Sequence, residues 1–80
     1  MINLYDILTI SNQDYVIGKM IEYNDNMYYL LIEVDKDENL KENQIIAKEV
    51  VTNGETGLVK IVDEDEYNNV KDIFVDLLFQ

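Results

Sequence analysis

Five residue types are missing from this chain of 80 residues: cysteine, histidine, arginine, tryptophan and proline. Without histidine, no side chain has an ordinary pKa near neutral pH. Without cysteine, there is no thiolate nucleophile, disulfide or zinc–thiolate site. These absences remove two of the commonest residues of nucleophilic and acid–base catalysis. We therefore expect the protein not to be an enzyme and to carry no cofactor or metal ion.

Positive charge is also scarce. Six lysines stand against seventeen acidic residues, which gives a formal net charge of −11 and an isoelectric point near 4.1. This charge repels a phosphate backbone, and the absence of arginine removes the usual bidentate readers of phosphate and guanine. Anionic lipid surfaces attract basic segments rather than acidic ones. We expect no direct nucleic-acid binding, no membrane docking, and a basic protein as partner.

Long hydrophobic runs and linkers are absent as well. The longest apolar run, residues 27–32, is far shorter than the roughly 18 residues of a membrane-spanning helix. The first residues lack the positive region of a signal peptide, and the absence of cysteine fits a reducing compartment, so we expect a cytoplasmic protein. Hydrophobic residues form 48% of the chain, enough for one continuous core. We expect a single domain over residues 1–80.

Apolar runs separated by turn-prone residues predict the strands of an antiparallel sheet. Residues 27–34 are apolar on both faces as far as Glu33, which is typical of a central strand. Asn53-Gly54 is the strongest hairpin signal. The predicted strands cover residues 5–10, 15–23, 27–34, 43–52 and 58–62, with turns at residues 11–14, 24–26 and 53–57 and a solvated loop at residues 35–43.

Strict alternation along residues 15–23 predicts which side chains share a face of the sheet. Because successive side chains of a strand point to opposite faces, the odd-numbered residues belong together and the even-numbered residues oppose them. One face is expected to carry Tyr15, Ile17, Lys19, Ile21 and Tyr23, and the other Val16, Gly18, Met20 and Glu22.

The C-terminal segment changes to helical periodicity after four consecutive acids at residues 63–66. We expect Asp63 to cap a helix and Glu66 to reach back to the Asp63 amide. The predicted fold is α+β, an antiparallel meander sheet of about five strands with one C-terminal amphipathic helix packed on one face. The apolar face of this helix is predicted to consist of Tyr67, Val70, Ile73, Phe74, Leu77 and Leu78.

Clustered carboxylates suggest a metal site at two places. Residues 35–39 resemble the opening of a calcium loop, but Leu40 stands where the loop needs glycine and Ile46 where it needs glutamate. Residues 63–66 offer oxygen ligands for a divalent ion, although helix capping accounts for them without one. We expect a solvated loop and a helix cap at these two places.

Three glutamates, Glu22, Glu33 and Glu49, lie inside predicted strands. Paired carboxylates perform acid–base catalysis when burial raises the pKa of one of them while the other stays ionised. An edge strand or an open sheet face places such residues in solvent instead. We expect all three to face solvent.

Tyrosine accounts for six of the eight aromatic residues. Its ring packs against apolar neighbours while its hydroxyl reaches water, so these residues either cover the sheet or line a binding face. The candidate partner-binding residues are Tyr15, Tyr23, Tyr28, Tyr29 and Phe79. Phe79 and Val75 fall off the main helix stripe, and they mark either a frayed end or a contact with a partner or a second copy in a homodimer.

The strings at residues 14–23, 27–32 and 58–67, together with the order of elements, resemble the YrzB-like family of small acidic bacterial proteins. The resemblance extends over residues 5–78. It implies an acidic turn followed by an amphipathic C-terminal helix. The first two turns of this chain contain asparagine where the family often has glycine. The family has no established molecular function, so the resemblance supplies no functional residues.

Three classes of function fit the sequence. The leading hypothesis is a non-enzymatic cytosolic protein-interaction module that binds a basic protein. The alternative is an acidic nucleic-acid mimic, of phage or mobile-element origin, that inhibits a DNA- or RNA-binding protein. A mimic needs its carboxylates in one continuous stripe, whereas the sequence scatters them over several turns and the helix start. A small enzyme or metal protein is the third class.

Overall fold

The computed structural model describes residues 3–78. Its elements are β1 (Ile7–Ile10), β2 (Gln13–Tyr23), β3 (Asn26–Val34), β4 (Leu40–Thr52), β5 (Glu55–Lys60) and α1 (Glu64–Leu78). Neighbouring strands pair antiparallel in the order β1-β2-β3-β4-β5. The sheet curls into a half-barrel, and the helix packs on one face. The predicted α+β meander with a C-terminal helix is confirmed.

Tight hairpin turns connect β1 to β2, β2 to β3 and β4 to β5, whereas a longer loop connects β3 to β4. Both central residues of each turn have positive φ, between 51° and 82°, which is the backbone of a type I′ turn and matches the twist of the sheet. Asparagine, aspartate and glycine tolerate this conformation better than other residues. The turn residues are Ser11-Asn12, Asn24-Asp25 and Asn53-Gly54.

All five strands depart from their predicted bounds: β1 begins two residues later, β2 two residues earlier and β3 one residue earlier, and the largest differences are in β4 and β5. β4 begins at Leu40 instead of residue 43, because Leu40 pairs with Val34 and extends the ladder through a polar segment. β5 covers Glu55–Lys60 instead of residues 58–62, because the tight turn pairs Glu55 with Thr52 immediately. Pairing with a neighbour, rather than local composition, sets both boundaries.

A β-bulge at Gly18 changes the face assignment within β2. The register with β3 shifts between Ile17 and Lys19. An extra residue in one strand moves every later side chain to the opposite face. The prediction that odd-numbered residues share one face is therefore wrong beyond the bulge. Tyr15 and Ile17 pack with Met20 on one face, whereas Ile21 and Tyr23 pack against the helix.

Both faces of β3 are covered, as predicted for the central strand. Tyr28 and Leu30 pack with Val70 and Phe74 of α1 in a helix-side core. Tyr29 and Leu31 point the other way, into a second core on the concave side of the sheet. The concave core consists of Ile17, Tyr29, Leu31 and Ala47, with Leu8, Ile10, Tyr15, Met20, Met27, Ile45 and Leu58 packed around it.

The structure confirms the central residues of the predicted apolar face of α1. Val70 and Phe74 are buried, and Ile73 and Leu77 pack against the helix-side core. Tyr67 and Leu78 lie at the margin of the stripe and remain exposed. Within residues 3–78, no helix combines the length and the hydrophobicity that crossing a membrane requires.

Candidate functional site

The structure distributes the candidate partner-binding residues over both faces of the sheet. Tyr28 and Tyr29 are only 1% and 2% exposed, so they are core residues and do not form an exposed tyrosine surface. Tyr15 and Tyr23 are half-buried on opposite faces. Phe79 lies outside the described residues. Partner contact through Tyr15 or Tyr23 stays a prediction.

Glu66 ties the start of α1 to the sheet. Its Oε2 accepts hydrogen bonds from the Tyr28 hydroxyl and from Lys48 Nζ, the latter at 2.8 Å. The Lys48 ammonium holds the pKa of Glu66 below its usual range, with the Tyr28 hydroxyl adding to the effect. Burial, reinforced by the nearby Glu66 carboxylate, raises the pKa of Tyr28 to about 12.

The helix cap follows the prediction at Asp63 but not at Glu66. The Glu66 amide donates to Asp63 Oδ1 at 3.0 Å, which satisfies a free N–H of the first turn. The Glu66 carboxylate was expected to reach back to the Asp63 amide, and it binds Tyr28 and Lys48 instead. Hydrogen bonds from two side chains of the sheet therefore replace the bond to the Asp63 amide that a capping box would contain.

Glu33 corrects the expectation that the strand glutamates face solvent. It is only 7% exposed, and Lys41 Nζ donates to its Oε1 at 2.9 Å. This hydrogen bond, with a second from Asn43, holds the pKa of Glu33 below its usual range. Lys41 lies in the part of β4 that was predicted to be a loop, so its pairing with Glu33 depends on the unexpected length of that strand.

The β3–β4 loop is held by its own hydrogen bonds. Asp35 Oδ1 accepts from the backbone amides of Asp37 and Asn39, both at 2.9 Å. These bonds, from the Asn39 amide above all, hold the pKa of Asp35 below its usual range. An aspartate that bonds to amides two and four residues ahead is ordinary turn chemistry. The carboxylate thus has a structural role in the loop.

The concave side of the half-barrel contains an open groove of about 610 Å³, which we call the inner groove. It lies on the face opposite α1, and every strand of the sheet contributes to its wall. The N-terminal segment before β1 closes one side of it. The inner groove is lined by Asn3, Asp6, Leu8, Met20, Met27, Tyr29, Glu49 and Thr56.

Backbone hydrogen bonds fix the N-terminal wall of the inner groove. The Ile17 amide donates to the Asp6 carbonyl, and the Tyr5 amide donates to the Ile17 carbonyl, both at 2.9 Å. These bonds continue the pairing with β2 up to the bulge. Asp6 Oδ2 also accepts from the Asn3 amide at 2.9 Å. The Asp6 carboxylate is therefore held in place at the rim.

The inner groove combines an apolar floor with negative charge. Met20 and Met27 form part of the floor, and the Tyr29 hydroxyl donates to Glu49 Oε1 at 3.2 Å. Burial, with the adjacent Glu49 carboxylate, raises the pKa of Tyr29. Among the lining residues that the structure describes, the charged ones are Asp6 and Glu49. This arrangement suits a ligand that is both apolar and cationic.

The sequence pattern does not predict the inner groove, because strict alternation places Met20 on the wrong face of the sheet. Strict alternation put Met20 opposite Tyr15, whereas the bulge at Gly18 brings both residues to the concave side. A glycine inside a strand is a known signal for a bulge, and it could have indicated the change of face. The curl that brings β1 and β5 to one groove leaves no comparable signal in the periodicity.

One comparison with known proteins gives a match. A family model described as "Protein of unknown function (DUF1292)" matches residues 11–78. No curated protein and no solved structure matches the chain. The match supports the resemblance to a family of unknown function, while the YrzB-like name stays a prediction.

Proposed function

The chain belongs to this family of proteins of unknown function, and we propose that it is a non-enzymatic protein-interaction module that binds a basic protein partner through its surface carboxylates. The observation that carries the proposal is the small extent of internal charge pairing. Residues 3–78 contain two ion pairs, in which Lys41 binds Glu33 and Lys48 binds Glu66. All seventeen acidic residues of the sequence lie in this range, so only two of them form an ion pair with a lysine.

The placement of the acids supports a module rather than a nucleic-acid mimic. Successive turns of a meander lie at alternate ends of the sheet. Asp25 lies in the β2–β3 turn, whereas Asp35 and Asp37 lie in the β3–β4 loop at the other end. The acids that begin α1 lie beside the β2–β3 turn. A mimic requires one continuous stripe of carboxylates, and the division of the acids between the two ends of the sheet favours general attraction of a basic protein instead.

Capture of binding partners at two salt concentrations tests the proposal. The immobilised protein is exposed to cell lysate, and an unrelated acidic protein of similar size and charge serves as the control. We expect basic proteins that the control does not retain, with recovery falling steeply at high salt because screening weakens the attraction. Recovery of the same proteins by both would contradict the proposal. Selective capture of a nucleic-acid enzyme in competition with DNA or RNA would favour the mimic.

A further inference from the structure

We infer that the inner groove is the surface that receives the basic partner, and that its occupant is a protein segment with apolar side chains flanked by lysine or arginine. The inference rests on the proposed function and adds a location and a chemistry to it. Three features support it: the floor of the groove, the two carboxylates beside that floor, and the contrast with an apolar depression between α1 and β4.

The floor of the inner groove offers apolar surface that the fold leaves uncovered. Leu8, Met20 and Met27 pack around the concave core but are only partly buried. The volume of about 610 Å³ lies within the range of roughly 300–1,000 Å³ that is usual for ligand sites. Methionine is flexible and polarisable, and it is common on surfaces that adapt to the side chains of a partner. The floor is therefore suited to apolar anchors.

The two carboxylates flank the floor. Asp6 lies beside β2 through its backbone bond to Ile17, and Glu49 lies on β4. Met20 on β2 and Met27 on β3 lie between them in the order of the sheet. Hydrogen bonds from the Asn3 amide and the Tyr29 hydroxyl orient Asp6 and Glu49. An apolar anchor on the floor thus places basic residues on either side of it next to a carboxylate.

Charge separates this groove from the apolar depression between α1 and β4. That depression has about 130 Å³ and is lined by Ile46, Phe74 and Val75 among others. Its charged lining residue is Lys71, which repels a basic segment. The inner groove is larger and carries only negative charge among its described lining residues. Of these two depressions, charge complementarity therefore favours the inner groove for a basic segment.

Binding of synthetic peptides to the full chain tests the inference. The probe is a short peptide of alternating leucine and lysine, and its affinity is measured by isothermal titration calorimetry. One companion peptide has serine in place of leucine, and another has glutamate in place of lysine. We expect the leucine–lysine peptide to bind at least about tenfold more tightly than the serine–lysine peptide, because each buried leucine contributes apolar contact. The glutamate peptide should not bind.

Paired variants locate the binding site. The double variant D6N/E49Q keeps hydrogen-bond acceptors but removes both groove charges, and we expect it to weaken binding about threefold to tenfold. The control D25N/D72N removes two charges outside the groove and should change the affinity less than about twofold.

M27K introduces a positive charge on the floor and should weaken binding further. V62K adds the same charge at a residue that is 96% exposed and serves as its control.

The outcomes separate this inference from the proposed function. If the wild-type chain binds the leucine–lysine peptide and the groove and control variants lose affinity equally, the inner groove is not the site, but the proposed function stands. If the wild-type chain binds neither lysine peptide and retains no basic protein, both are wrong. Circular dichroism confirms that each variant is folded. The conservative D6N/E49Q pair decides the question if M27K does not fold.

Discussion

At the scale of single residues, Gly18 determines which side chains meet on each side of the sheet. A Cβ atom at this position would lie 2.7 Å from Cδ1 and 3.3 Å from Cγ1 of Ile32. The bulge therefore brings the backbone of β2 close to a side chain of β3. By contrast, a Cβ atom at Gly57, in β5, would have no neighbour within 4 Å. Only the first of these glycines is required by packing.

Valine at these two positions should affect stability to very different extents. Gly18→Val is expected to lower the free energy of unfolding by about 1–3 kcal/mol, because Ile32 must move to accommodate the new side chain. Gly57→Val should change it by less than about 0.5 kcal/mol, since valine favours strands and meets no obstacle. Urea denaturation measures both. Equal destabilisation by the two substitutions would show that the close contact at Gly18 does not matter.

Glu66 is the second residue whose contribution to the stability of the fold can be measured separately. Its pKa is lowered in the folded state by Lys48 and Tyr28, so the stabilisation is present above the unfolded pKa and is lost as the pH falls through the folded pKa. Stability should therefore decline below about pH 4.3. Glu66→Gln should cost about 1 kcal/mol at neutral pH and make this acid-induced decline less steep.

Thermal unfolding followed from pH 7 to strongly acidic pH measures this effect. Glu64→Gln is the control, because Glu64 is an exposed acid in the same helical turn. The residual decline in the Glu66→Gln variant should come from Glu33 and Asp35, whose pKa values are lowered in the same direction. An unchanged acid profile in Glu66→Gln would mean that the contact with Lys48 and Tyr28 does not stabilise the fold.

At the scale of elements, α1 covers the helix-side core and leaves the concave side open. Phe74 is 2% exposed, whereas its neighbour Val75 is 41% exposed. The helix thus places one large side chain in the core and the next in solvent. It contributes stability through a narrow stripe and leaves the inner groove free.

Alanine substitution at Phe74 and at Val75 should change the free energy of unfolding by very different amounts, because the two residues lie on the buried and the exposed face of the helix. Phe74→Ala is expected to lower the free energy of unfolding by about 3–5 kcal/mol, because it leaves a cavity against Tyr28 and Leu30. Val75→Ala should cost less than about 0.5 kcal/mol. Guanidinium denaturation compares them. A large loss in Val75→Ala would contradict this expectation and would indicate that the side chain is covered in solution, as contact with a partner or a second copy requires.

The elements differ in how far the sequence predicts them. Asn24-Asp25 and Asn53-Gly54 specify their turns locally, and the helix stripe follows from spacing alone. The burial of Glu33 does not, because it depends on Lys41 of the adjacent strand. The inner groove is less predictable still, since it requires a bulge at Gly18 and the curl of the whole sheet. Local signals predict the elements, and long-range pairing determines the candidate site.

At the scale of the whole molecule, the dominant electrostatic feature is self-repulsion. The chain carries a net charge of −11, and the molecule measures 36 × 36 × 21 Å along its principal axes. At about 0.01 M salt the screening length of roughly 30 Å is similar to these dimensions, so all the carboxylates repel one another. This repulsion destabilises the compact state. The same field attracts a basic partner from a distance.

Salt should therefore stabilise the protein. Raising the concentration of sodium chloride from about 0.01 M to about 1 M shortens the screening length to roughly 3 Å, and the melting temperature should rise by several degrees. The two internal ion pairs weaken in salt, but they are few compared with seventeen acidic residues. A melting temperature that falls with salt would show that these pairs outweigh the repulsion.

The central claim is that a basic, partly apolar segment binds in the inner groove. Titration of the ¹⁵N-labelled protein with the leucine–lysine peptide, followed by two-dimensional NMR, tests it most directly. We predict that the largest amide shifts occur at Asp6, Leu8, Met20, Met27 and Glu49, with little change along α1. Shifts concentrated at the acidic start of the helix, residues 63–66, would contradict the claim.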